Sequence, residues 1–151
     1  MRDEIRQKIL RHLAENRIMS VATLRPDGWP QVTIVGYGSE GLTIYFVCGR
    51  DSQKAKNLAR DDRVSLTIGR DTTSPFEIEG LSMAARARAV EDPAAVSHAL
   101  DLMAAKYPEY LELPDLDMSQ TRMFRVTPTV ISVLDYRLGF GHTDLVEVET
   151  G

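Results

Sequence analysis

A change of hydrophobic period near residue 17 limits what this chain can fold into more than any other feature. Over residues 3–16 the apolar side chains recur with helical spacing. Ile5, Ile9, Leu10 and Leu13 share one face, with Arg6, Lys8, Arg11 and Glu15 opposite. Asp3 is placed to cap the start of this helix and Asn16 its end. From Ile18 onward the period is two. Residues 18–24, 31–37 and 42–48 read as three strands. The links between them are short. Pro26-Asp27-Gly28 is a turn in which proline presets φ and glycine accepts a positive one. Gly38-Ser39-Glu40-Gly41 is a second turn. Links this short join antiparallel neighbours, because parallel strands need a long crossover.

The remaining elements follow by the same reading. Ser52 caps a short helix over residues 53–60, with Ala55, Leu58 and Ala59 on its apolar side. Residues 63–68 form a fourth strand, 70–75 a polar loop and 77–90 a long strand in which Arg86 and Arg88 alternate with small residues. Asp92-Pro93 supplies an N-cap and a first-turn proline for a helix over residues 93–107. Its stripe is Val96, Leu100, Met103 and Tyr107, and Pro108 stops it. Residues 109–120 read as an acidic loop. Residues 123–126 and 130–136 read as two last strands, broken at Pro128, and a tail begins at Arg137. The expected class is mainly β (α+β): a six- to seven-stranded antiparallel barrel, closed or split, with flanking helices.

A chain of 151 residues suits one domain, spanning residues 1–151. The net charge of −4 comes from interspersed signs, without the basic face that nucleic acid requires. A single cysteine, Cys48, excludes an intrachain disulfide and a four-cysteine metal site. No run approaches the ~18 apolar residues of a membrane span, and the charged start has no apolar signal region, so the cytoplasm is expected. His12, His98 and His142 show no metal spacing, and His12 and His98 read as solvated helix residues. Glu77 with Glu79, and Asp61 with Asp62, read as solvated charges. Trp29 reads as core or interface. The third strand is apolar at nearly every position, so both faces need cover, and a twofold homodimer would provide it. Nucleophile-elbow, phosphate-loop and dinucleotide fingerprints are missing.

The sharpest local chemistry is Arg50-Asp51-Ser52-Gln53-Lys54, a basic turn leading into a helix N-terminus, where free N–H groups and added cations suit a phosphate. This run, together with Ser20 to Thr23, Pro26 to Pro30, Val32 to Tyr37, Leu42 to Cys48, Ser52 to Leu58 and Arg63 to Leu66, resembles the flavin-binding split barrels related to pyridoxamine 5′-phosphate oxidase. The resemblance covers roughly residues 5–136 and rests on the order and spacing of the pieces.

It implies a homodimer with FMN at the subunit interface and no metal, moving two electrons through the flavin. Ser52 and Lys54 match the positions that hold the flavin phosphate. Gln53 stands where the family often has a second basic residue, and Arg50 is the candidate replacement charge. Gln31, Val32, Thr33 and Ile34 match the strand along the isoalloxazine. Val47 and Cys48 match the strand end near the ribityl-phosphate arm, with Cys48 as a small buried wall rather than a reactive thiol. Two other readings stand beside this one: a flavin, deazaflavin or haem binding or sensing module without turnover, and a cofactor-free structural dimer. In the tail, Gly139-Phe140-Gly141-His142 either folds over the ring of its own or the neighbouring subunit, with His142 donating a hydrogen bond or exchanging a proton, or is a mobile end. The true oxidases end in an Arg-rich segment that grips the vitamin's phosphate. This chain ends in Asp144-Leu145-Val146-Glu147-Val148-Glu149-Thr150-Gly151, so the resemblance does not carry pyridoxine phosphate over as substrate.

Overall fold

A computed structural model describes residues 1–111 and 119–149. The chain opens with α1 (Asp3–Glu15), which buries Ile5, Ile9, His12 and Leu13. Arg2 occupies its N-cap position without a side-chain bond, and Asp3 lies inside the first turn instead of capping it. Asn16 does close the helix, its Nδ2 donating to the His12 carbonyl at 2.8 Å. His12 is a correction to the sequence reading. It lies three residues after Ile9 and one before Leu13, so it shares their buried side. Burial, with Arg11 beside it, pushes its pKa down.

The strands are β1 (Ile18–Leu24), β2 (Pro30–Gly36), β3 (Gly38–Glu40), β4 (Thr43–Gly49), β5 (Arg63–Gly69), β6 (Glu79–Val90), β7 (Thr121–Asp135) and β8 (Thr143–Glu147). Two further helices, α2 (Gln53–Arg60) and α3 (Pro93–Lys106), lie between them. All pairs are antiparallel, in the order β2-β1-β5-β6-β7-β4-β3, with β8 added to β7. The two end strands, β2 and β3, are separated by Tyr37 alone, so the sheet must curl until its ends meet. Residues 38–40 form a strand rather than the expected turn, and no ladder joins β2 to β4 among the described residues, so the antiparallel pairing expected between the second and third strands is not made. The result is a mainly β split barrel with flanking helices. Its interior is filled by alternate residues such as Met19, Val21, Phe46, Leu66 and Ile131.

Three differences from the sequence reading have clear causes. The last two expected strands are one. Ala84 pairs with Val130 and Ala85 with Pro128, so Thr129 is the extra residue of a bulge. Pro128 sits where the ladder is already interrupted and its missing N–H costs little. The tail adds a strand, because β7 offers an open edge along residues 130–134. The second face of the third strand is covered within the chain. Tyr45 packs against Met103, Met123 and Val90, and α3 crosses so closely that a Cβ on Gly38 would lie 2.7 Å from the Met103 nitrogen. The apolar β4 therefore gives no argument for a dimer.

Glu79 is a further correction. Its side chain is only 8% exposed and takes Arg137 at 2.7 Å, Arg70 at 3.1 Å and Arg11 at 3.4 Å. The neighbouring Asp135 holds Arg137 at 3.0 Å and Lys8 at 3.6 Å. These bonds tie α1, β6 and the end of β7 together. Trp29 is exposed on its turn and belongs to no core of the single chain. Among the described residues, no helix is long and apolar enough to cross a membrane.

Candidate cofactor site

Helix α2 begins where β4 ends. The Ser52 Oγ accepts from the Ala55 N–H at 3.1 Å, and the first turn holds no acidic residue. The turn therefore keeps its positive end, and the half-buried Lys54 adds a full charge to it. Cys48 lies just before, half-buried. Burial raises its thiol pKa, while a hydrogen bond with Ser52 and the charges of Lys54 and Arg122 pull the other way. Burial thus disfavours the thiolate, the form that attacks.

The helix is fastened to the sheet by one buried amide. Asn57 is 0% exposed. Its Nδ2 donates to Thr23 Oγ1 at 2.9 Å and to Gln31 Oε1 at 3.4 Å, and its Oδ1 accepts from Gln53 Nε2 at 2.8 Å. The tie carries Gln31, from the start of β2, across to Gln53, at the start of α2. The two glutamines line a cavity of about 450 Å3 with Arg25, Pro26 and Asp27.

Strand β2 shows two different sides here. Gln31 and Thr33 point inward, and Thr33 Oγ1 is buried with no hydrogen-bond partner among the described residues. Val32 and Ile34 point outward and are 67% and 68% exposed. Among the described residues the strand is also an edge, paired with β1 alone, so half of its backbone N–H and C=O groups face the split. Such a site has an electropositive helix start for a phosphate. It also has an unpaired strand edge and an unsatisfied hydroxyl for the polar rim of a flat ring.

The structure thus brings Gln31, Cys48, Ser52, Gln53 and Lys54 together, with Thr33 on the same side of β2. Three expected residues lie elsewhere. Val47 sits opposite Met123 on the α3 side of β4. Arg50 lines a different cavity, against α3. His142 pairs with Asp144 at 3.2 Å, and its carbonyl meets the Asp135 N–H at the far end of β7 from Cys48, which sits opposite Arg122. Asn57 and Thr23 are members that sequence reasoning missed. The available clue was an asparagine inside a short helix, where that residue is disfavoured unless its side chain has work to do.

Residues 5–135 match the pyridoxamine 5′-phosphate oxidase family. No curated protein matches the chain by sequence. Among solved structures, the conserved protein Rv2991 from Mycobacterium tuberculosis is 27% identical, with a TM-score of 0.79 over 100% of this chain and 92% of that one. A haem-binding protein from Mycobacterium smegmatis is 24% identical, with a TM-score of 0.76 over 97% of this chain and 59% of its own. HutZ, the haem storage protein from Vibrio cholerae, is 22% identical, with a TM-score of 0.70 over 85% of this chain and 91% of its own. These last two likenesses speak for the fold alone. The family match spans β1 to the end of β7 and contains every strand and helix that builds the α2 site. The chain belongs to the pyridoxamine 5′-phosphate oxidase family.

Proposed function

We propose that the protein binds FMN, with the phosphate at the start of α2 and the ring along the open edge of β2, and passes two electrons through it. The observation that carries this reading is the tie through Asn57. It fixes a helix start whose first turn carries no acid, with Ser52 and Lys54, at a set distance from the unpaired edge of β2, where Thr33 Oγ1 has no partner among the described residues. When bound, the flavin supplies the redox chemistry. The chain's own residues do the rest. Ser52 and Lys54 bind the phosphate, Gln31 and the β2 backbone orient the ring, and Cys48 closes the wall. No side chain here is asked to act as an acid or base.

The active form in this proposal is a homodimer joined across the outer face of β1, β2, β5 and β6. Small side chains run across the middle of that face. Ser20, Ala22, Ser65, Thr67, Ser82 and Ala84 follow one another across the ladders, and the exposed Val32, Ile34 and Ile18 stand at its rim. Small residues let two sheets approach closely, and exposed apolar side chains need a partner.

Haem is the second reading, motivated by the haem-binding proteins that share the fold. The histidines argue against haem in the same cradle. His12 is packed at the other end of the barrel, His98 pairs with Glu40 at 3.0 Å, and His142 is in the tail. Deazaflavin would place its ring and phosphate on the same residues as FMN. The visible spectrum of the purified protein, before and after adding FMN, separates the readings. Flavin bands that appear with one FMN per chain are expected. A haem band, or no uptake of flavin, would overturn the proposal.

A further inference from the structure

A second cavity, of about 520 Å3, opens between α3 and the paired ends of β6 and β7. It shares no residue with the cavity beside α2. Its volume lies within the range of small-molecule sites, about 300–1,000 Å3. We propose that it binds a small amphipathic monocarboxylate, with the carboxylate on Arg122 and the apolar body against Val90, Val96, Leu100 and Met123.

The apolar wall comes from packing. Val90 and Met123 are cross-strand partners that face α3, and Val96 and Leu100, on that helix, are only half-buried. Among the described residues, this part of the apolar side of α3 stays open, and an aliphatic or flat aromatic body would cover it. The charge at the mouth selects the head group. Arg122 already holds a carboxylate there, Glu91, at 3.5 Å. Glu91 is 81% exposed, and so solvated a pair is weak and easily exchanged. A ligand carboxylate held by the apolar wall would take the guanidinium in better geometry, on two N–H donors at once. The start of α3 does not compete for it, because Asp92 already accepts from the Ala95 N–H at 3.0 Å.

Calorimetric titration of the purified protein with decanoate and with decanol tests this. Saturable binding of one decanoate per chain is expected. Arg122→Gln should weaken decanoate about tenfold and leave decanol nearly unchanged, as loss of one charged hydrogen-bond partner predicts. Val96→Trp, which fills the mouth, should abolish both, with an unchanged melting temperature as control for folding. Failure of decanoate to saturate the wild-type protein would overturn the proposal. So would wild-type affinity in the Arg122→Gln protein, which does not depend on repacking the cavity.

Discussion

At the scale of single residues, the site depends on one buried amide. Replacing Asn57 by leucine keeps the volume but strands the Thr23 hydroxyl and two glutamine side chains. The expected loss of stability is about 1–3 kcal/mol, read as a shift in urea midpoint at constant slope. FMN affinity should fall too, because Gln31 is no longer held toward α2. An unchanged midpoint would mean that water satisfies these groups and that the tie is incidental. The cap at Ser52 and the start of α2 were readable in the sequence because a helix start is a contiguous signal. The tie was not, because Thr23 and Gln31 stand 34 and 26 residues before Asn57. His12 was misread for a related reason. Helical spacing tells which residues share a side, but a polar residue at the margin of the apolar face is assigned by its neighbours in space.

At the scale of elements, the closest approach lies between α3 and β3. Gly38→Ala would put a methyl group against helix backbone at 2.7 Å, so α3 must shift. Overpacking of this kind costs about 1–3 kcal/mol, and calorimetric melting should show it as a lower transition temperature. A wild-type melting temperature would mean that α3 is free to move. The strand period and the turns made most elements legible from sequence, including α2, β5, β6 and α3 to within a few residues. The failures along β7 and β8 are failures of context. Pro128 ends a strand by local rules, but a bulge absorbs it. The tail becomes a strand only because β7 extends past β4 and leaves an edge for it.

At the scale of the whole molecule, charge and assembly give separate tests. Glu79 and Asp135 are the acid-sensitive tie at one end of the barrel. Burial works against the charged form of Glu79, but the hydrogen bonds and charges of Arg11, Arg137 and Arg70 outweigh it, and its pKa falls. The Arg137 hydrogen bond takes Asp135 down to about 2. Depressed carboxylates contribute stability that is full above their unfolded pKa, near 4, and is lost as pH falls toward the folded values. Urea unfolding should therefore show stability falling between about pH 5 and pH 2, and Asp135→Asn should flatten that fall. An equally steep fall in the variant would place the acid sensitivity elsewhere. Sedimentation should show a dimer that Ile34→Asp converts to monomer, since a charge on that face would be buried unpaired in the interface. A monomer for the wild-type protein with FMN bound would remove the interface from the account. The central claim is that the start of α2 holds the phosphate of a flavin. The most direct test is to titrate apo wild-type protein and Lys54→Ala with both FMN and riboflavin. The variant should lose about 1.5–3 kcal/mol of binding free energy for FMN and almost none for riboflavin, which has no phosphate. Equal losses for the two ligands would contradict it.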